Sequence, residues 1–412
     1  MKCIVDDDVV LSQPLEGPLS ADIPGFARWV REEGYAFPSR RRRVMLAACF
    51  SRWLGQQGVS VHRVSSVHPA RYLRSRAHHV KIQRNDASTL RQFLDFLRRQ
   101  GAVPAEKAPP PRLTPVEQAV QAFERYLRDE RLLAEVTILY YVPFAREFLV
   151  DRFGNGPVTL SHLCAGDVVG FVQRQARRLH LKRAKLLTTA LRSFLHYARY
   201  RGEVTCDLGA AVPTVANWSM PSIPRAIPAD AVRQLLASVN RSTAIGCRDY
   251  AILLLLARLG LRAGEVVRLE LEDIDWNDGS LSVRGKGNQR SVLPLPADVG
   301  SAIATYLRRG RPRSNSRRVF LRTKAPIRGL RGPQAIANVA RLNLARAGIQ
   351  APTNGAHQFR HALATKMLHH GASLAEIGEV LRHRDTETTK LYTKVDLDSL
   401  RALALPWPGG GR

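Results

Sequence analysis

Six polar side chains in the C-terminal part of the chain have types and spacings that suit work on a phosphate. Arg262 follows Gly260 and Leu261 at a turn between two apolar helical patterns, and Glu265 lies three residues on. Lys286 sits at the tip of a Gly-rich hairpin, Gly285-Lys-Gly-Asn-Gln289. His357 and Arg360 are three apart and so share one face of a helix. His383 lies just beyond an apolar stretch ending at Leu381, and Tyr392 follows nine residues later. Guanidinium forks match phosphate oxygens and keep their charge. Such cations oppose the negative charge that develops in phosphoryl transfer, and a tyrosine can serve as the covalent nucleophile.

Each residue also has a plainer reading. Arg262 could be a cation at a helix end, and Lys286 a solvated turn lysine with Arg284 and Arg290 as rivals in the same hairpin. His361 reads as a structural neighbour, and His369 and His370 as an exposed helix end. Tyr140, Tyr141 and Tyr306 compete with Tyr392, but none closes an ordered Arg/His series; Tyr250 reads as core. The 12 histidines include no HxH, HExxH or Cys/His cluster, so no metal is expected.

Positioning these groups takes a helical frame with a small sheet. Asp249 is placed to cap a helix running through Leu256 and Arg258, and a second helix is expected from Ala263. Alternating apolar residues on both sides of Gly285–Gln289 predict a β-hairpin. Helical patterns resume at 297–308, 334–347, 360–370 and 373–381. Upstream, Pro-rich breaks at 104–114 and 212–228 divide the chain into 1–108, 112–212 and 225–412. The first two segments read as mostly helical, for example at 115–130 and 186–200. The fold class is therefore mainly α, with a small antiparallel β-sheet in the C-terminal segment. Residues 89–103 can be laid on 190–204 at an offset of 101, pairing Phe93 with Phe194, Phe96 with Tyr197 and Gly101 with Gly202, and upstream Trp53-Leu54 can be laid on Phe148-Leu149 at an offset of 95. Either 1–108 holds a degenerate copy of the unit in 112–212, or two amphipathic helices ending in Gly merely look alike.

Composition narrows the partners. The chain has 412 residues, 63 Lys+Arg against 35 Asp+Glu, and a net charge of +28 spread over all three segments. With 45% hydrophobic residues it can build real cores, so it is no disordered basic tail. A polyanion is the expected partner, nucleic acid before membrane. Arg41, Arg42 and Arg43 form a basic run with Arg40, and Lys182, Arg183, Lys185, Arg284 and Arg290 are further candidate DNA contacts. The longest apolar run, 251–257, is too short to span a bilayer. Asp6, Asp7 and Asp8 stand where a signal peptide needs positive charge. Five scattered cysteines without a CxxC pair argue against a disulfide framework, and a reducing cytoplasm fits.

In order and spacing, Gly-Leu-Arg262-x-x-Glu265, Gly285-Lys286-Gly-Asn, His357-x-x-Arg360-His361, Leu381-x-His383 and Thr388-Thr-x-x-Tyr392 resemble the tyrosine recombinases, the family of phage integrases and Xer-type recombinases. The resemblance covers 226–400 in full and, more loosely, a helical core-binding domain at 112–212. It implies helical DNA-binding domains before a catalytic domain at 225–412. It implies that Arg262 and Arg360 clamp the scissile phosphate and that Tyr392 attacks it, giving a 3′-phosphotyrosyl link. Lys286 would protonate the leaving 5′-oxygen, His357 would assist proton transfer, His383 would hydrogen-bond the phosphate, and Glu265 would hold an arginine. No cofactor, metal or ATP is implied. The expected partners are double-stranded DNA and further copies of the chain, assembled from monomers into a synaptic tetramer, with room for a second recombinase or an accessory protein and with no membrane. The setting is a bacterial cytoplasm, at the nucleoid. The extra 108 residues point to a mobile-element integrase rather than a minimal Xer-type resolvase. In this family a tail such as that bearing Leu397, Leu400 and Ala404 commonly docks on a neighbouring subunit; the alternative is packing on its own domain. One departure stands out: the family commonly has Leu-Gly-His where this chain has Leu381-Arg382-His383, so Arg382 is expected either to add a phosphate contact or to disturb the turn. The competing classes are a DNA-binding regulator that lost its chemistry, a type IB topoisomerase, and an RNA-binding protein.

Overall fold

The computed structural model describes residues 3–6, 9–105, 113–215, 226–285, 289–351, 353, 355–383 and 389. Lys286 and Tyr392 lie outside these described residues, as do Leu397, Leu400 and Ala404. Two compact units form: residues 1–107 with 223–412, and residues 108–222.

The first part of the chain opens with an antiparallel pair, β1 (Cys3–Asp6) and β2 (Val9–Leu11), which the helical reading of 1–108 did not foresee. Four helices follow: α1 (Ile23–Glu32), α2 (Phe37–Gln56), α3 (Val67–Ala77) and α4 (Asp86–Arg99). Their inner faces bury Phe26, Val30, Phe50, Leu54, Leu90, Phe93 and Leu97. The separate unit holds α5 (Pro115–Arg125), α6 (Glu135–Phe153), α7 (Ala165–Ala176) and α8 (Leu181–Tyr200) around Phe123, Phe148, Phe171 and Phe194. The helix expected over 115–130 is present, but its last turn, Tyr126–Glu130, widens to π geometry. Thr114 caps α5 by accepting from the Glu117 N–H at 3.2 Å, and Pro115 occupies the first turn, where no N–H is needed.

Residues 226–383 build on α10 (Ala244–Arg258), whose run Ala251–Leu256 is buried on every side, as a helix apolar all round must be. Around it lie α9 (Ala229–Ser238), α11 (Ala263–Arg268), α12 (Ala297–Thr305), α13 (Gly332–Arg346), α14 (His357–His369) and α15 (Leu374–Leu381). The small sheet is antiparallel in the order β3 (Ile274–Asp275), β4 (Ser280–Arg284), β5 (Arg290–Pro294). In β4 only Leu281 and Val283 are buried, the alternation the hairpin pattern predicts.

One expected cap is wrong. Thr243, not Asp249, caps α10, accepting from the Gly246 N–H at 3.0 Å. Asp249 is inside the helix and buried, paired with Arg248 at 2.8 Å and receiving the Asn343 amide at 3.2 Å. A carboxylate that far from water is tolerated because Arg248 pairs with its charge and the Asn343 amide hydrogen-bonds it. Among the described residues no helix is long and apolar enough to cross a membrane. Among them, too, no group of three or more His, Cys, Asp or Glu is placed to hold a metal ion.

Candidate active site

The turn after α15 is where the candidate residues meet. Ser373 and Glu376 form a reciprocal cap at the start of that helix. At its end Arg382 adopts the left-handed conformation, φ 55°, and the N–H groups of Arg382 and His383 close back on Glu379 and Gly378. Glycine is the usual residue at such a position. Here the turn survives with arginine because its side chain is fixed: Arg382 donates to Glu265 Oε2 at 3.1 Å and is nearly buried. The turn is therefore formed with arginine in place, and the Arg382 side chain makes an inward ion pair with Glu265.

Glu265 is the hub. Its carboxylate accepts from the Arg262 backbone N–H at 2.8 Å and from Arg262 Nη1 at 2.9 Å, as well as from Arg382. Burial alone would raise its pKa, but the Arg262 N–H bond and the charges of Arg382 and Arg262 bring it below the usual carboxylate range. Arg262 also donates to the Arg382 carbonyl at 3.2 Å, while about a third of its side chain remains open to solvent.

Arg360 reaches the same turn from α14. It is 1% exposed, donates Nη1 to the Gly260 carbonyl at 2.7 Å, and donates Nη2 to the Leu381 carbonyl. Gly260 has φ 56°, and a Cβ there would come within 2.8 Å of Leu381 and 3.0 Å of Leu363. That close approach explains the Gly before Leu-Arg262.

The histidines complete the group. His357 packs edge-on against His361, ring centres 4.7 Å apart, and His383 hydrogen-bonds through Nδ1 with the buried Thr389 hydroxyl at 2.7 Å. Burial, then the charges of Arg360 and Arg262, push His357 down. Burial with Arg360, Arg262 and the other imidazoles pushes His383 down to about 4, and burial, His357 and Arg360 do the same to His361. The sign for stability follows directly. Unfolded imidazoles titrate near 6.5; between there and about 4 the unfolded chain binds protons that folded His361 and His383 refuse. Stability is therefore full above pH 6.5 and is lost as pH falls toward 4. Thermal unfolding followed across that window should show a falling midpoint, and a His361→Asn, His383→Asn double variant should show a flatter one.

The structure thus brings Arg262, Glu265, His357, Arg360 and His383 around one turn. Arg382 and Thr389 belong to the same group, and the sequence reading assigned neither this role. In the hairpin, Arg284 donates to Glu270 at 2.6 Å and lies 3.4 Å from Asp273, so its charge is neutralised locally, whereas Arg290 is exposed. Of the basic run, Arg41 points outward, Arg42 pairs with Asp86 at 2.8 Å, and buried Arg43 donates to Thr89 and Gln92 and lies over the Tyr35 ring. Lys182, Arg183 and Lys185 are all exposed on the first turns of α8.

The phage integrase family matches residues 225–398. The integrase/recombinase y4rA of Sinorhizobium fredii (strain NBRC 101917 / NGR234) is 56% identical over 409 residues, 99% of either chain. Tyrosine recombinase XerD of Listeria monocytogenes (serotype 4b, strain F2365) is 30% identical over 285 residues, 67% of this chain and 93% of that protein. The crystal structure of XerH site-specific recombinase bound to a palindromic difH substrate, a post-cleavage complex, shares the fold with a TM-score of 0.55 at 18% identity, covering 76% of this chain and 93% of that one. By these relationships, and by the arginine and histidine groups gathered on one turn, the chain belongs to the phage integrase family of tyrosine recombinases and is a site-specific DNA recombinase.

Proposed function

We propose that this recombinase cuts and rejoins duplex DNA through a 3′-phosphotyrosyl intermediate, without metal or ATP, in the service of a mobile element. The observation that carries the reading is the tethering of Arg262 and Arg360 to adjacent carbonyls of one turn, Arg382 and Leu381, with His383 next in the chain. Two fixed cations and neutral imidazoles make a cradle for one phosphodiester. The Tyr392 oxygen attacks phosphorus and gives up its proton with the help of His357. The bond to the 5′-oxygen breaks, and Lys286 delivers a proton to that oxygen. One phosphodiester is exchanged for another, so bond energy is kept in the phosphotyrosyl ester. Attack by a 5′-hydroxyl from a partner strand reverses the steps and joins the new pair.

Double-stranded DNA, gripped by Lys182, Arg183, Lys185 and Arg290 among others, is the substrate, and four copies act together at the nucleoid. A cavity of about 260 Å³ between α9, α10 and α14, with an apolar floor of Val232, Leu236, Phe359 and Leu363 and with Arg233, Arg258 and Lys366 also in its lining, is a candidate seat for the tail of a neighbouring copy. The test uses a nicked suicide duplex carrying the DNA junction that flanks the coding region. With EDTA present and no nucleotide, wild-type protein should form a covalent adduct and release a 5′-hydroxyl end. Loss of the adduct in EDTA, or a 5′-phosphate product, would refute this chemistry.

A further inference from the structure

The N-terminal helical bundle reproduces the second one element by element. In the first, α1, α2, a 3-10 turn at Val61–Arg63, α3 and α4 follow in order; in the second, α5, α6, a 3-10 turn at Leu160–His162, α7 and α8 do. The packing partners also correspond: α1 on α2, α2 on α4 and α3 on α4, against α5 on α6, α6 on α8 and α7 on α8. Four aromatic contacts repeat. Phe26–Phe93 at 4.7 Å answers Phe123–Phe194 at 5.2 Å, and Phe26–Phe96 at 5.7 Å answers Phe123–Tyr197 at 5.4 Å. Trp29–Phe96 at 6.0 Å answers Tyr126–Tyr197 at 5.0 Å, and Phe50–Tyr72 at 5.4 Å answers Phe148–Phe171 at 5.2 Å. Both last helices stop at a glycine in the left-handed region, Gly101 at φ 73° and Gly202 at φ 74°, and both long helices are followed by another, Gly58 at 64° and Gly154 at 58°. Two helix ends alike would be unremarkable; a shared order, shared packing and a shared aromatic lattice are not.

The correspondence extends to charge at one place on the surface. Between α7 and α8 and on the first turns of α8, Arg177, Arg178, Lys182, Arg183 and Lys185 are exposed. The register that pairs Phe93 with Phe194 sets Lys81 against Lys182 and Arg84 against Lys185. Both Lys81 and Arg84 are exposed in the matching junction between α3 and α4, with His78, His79 and, on the last turns of α3, Arg74 beside them. There the backbone is not yet helical, because α4 begins at Asp86. The first bundle is also anchored to the part of the chain that carries the reacting arginines. The Glu33 carboxylate accepts from Nε and Nη2 of Arg328 at 3.0–3.2 Å, and the Glu33 carbonyl accepts from the Ile327 N–H at 2.9 Å.

We infer that residues 23–103 are a second copy of the DNA-gripping bundle and that the α3–α4 junction, through Arg74, Lys81 and Arg84, holds the phosphate backbone of duplex DNA. The inference rests on the reading of the chain as a DNA recombinase and adds a second grip that this reading does not require. Each phosphate contact releases counterions, so log K for binding falls with log salt by about 0.9 per contact.

The test measures binding of the full-length protein to a labelled duplex over a salt series. An Arg74→Gln, Lys81→Gln, Arg84→Gln variant should lower the slope by up to about 2.7, as should Lys182→Gln, Arg183→Gln, Lys185→Gln in the second bundle. All six side chains are exposed and glutamine suits helices, so folding should be retained. An Arg28→Gln, Arg63→Gln variant, which removes exposed charge elsewhere on the first bundle, should leave the slope unchanged. If only the second-bundle variant changes the slope, the inference fails and the recombinase reading stands. If neither changes it, DNA gripping by either bundle is refuted. An equal loss per charge at Arg28 and Arg63 would mean that general charge, not this junction, meets the DNA, and would overturn the inference.

Discussion

Arg360→Ala should abolish strand cleavage and destabilise its unit, whereas Arg262→Ala should abolish cleavage and leave stability nearly intact. Arg360 is among the largest fully buried side chains and supplies a donor to the Gly260 and Leu381 carbonyls. Truncation opens a cavity and leaves two buried carbonyls without a partner, a loss of about 3–5 kcal/mol. Arg262 is different. Its side chain is partly exposed, and when it is removed Glu265 keeps the Arg262 backbone N–H and Arg382. A change within about 1 kcal/mol is expected there, the scale of an exposed pair. In the proposed mechanism each substitution removes a cation that opposes the developing charge, and each should slow adduct formation by at least about 10²–10³-fold. Urea unfolding together with adduct kinetics separates the two effects. Wild-type stability in Arg360→Ala would contradict the bonding described for the turn.

Much of this site was legible because its residues come in short ordered motifs. Gly260-Leu-Arg262-x-x-Glu265 places a carboxylate three residues from an arginine, and the structure closes that pair locally. The hairpin and the long helices followed from periodicity. Arg382 was visible as a departure, but its partner Glu265 lies 117 positions away, and no local pattern encodes that contact. The basic run at Arg41, Arg42 and Arg43 shows a second limit. Successive residues on a helix turn by about 100°, so one run in sequence becomes one outward cation, one ion pair and one buried guanidinium. Asp249 was read as a cap because it precedes an apolar run, yet α10 starts earlier, where Thr243 satisfies its first N–H groups. The repeat was legible in its last helix, but the upstream pairing of Trp53 with Phe148 was wrong: it is Phe50, packed on Tyr72, that answers Phe148, packed on Phe171. Loops of different length shift the offset from 97 at Phe26 and Phe123 to 101 at Phe93 and Phe194, which scrambles a linear alignment while leaving the packing unchanged.

The second large effect concerns the nucleophile. Only the aromatic hydroxyl of Tyr392 is lost in Tyr392→Phe, so the arginines, histidines and DNA-gripping surfaces should bind duplex as before. Removing a nucleophile from an otherwise intact site lowers the rate by at least about 10⁴-fold. The decisive measurement is therefore adduct formation on the nicked suicide duplex by wild-type and Tyr392→Phe proteins at matched occupancy, with the linked peptide identified by mass spectrometry. The account predicts a DNA-linked peptide containing Tyr392 in the wild type and no adduct from the variant. An adduct at wild-type level from Tyr392→Phe, or a link through any other residue, would contradict it.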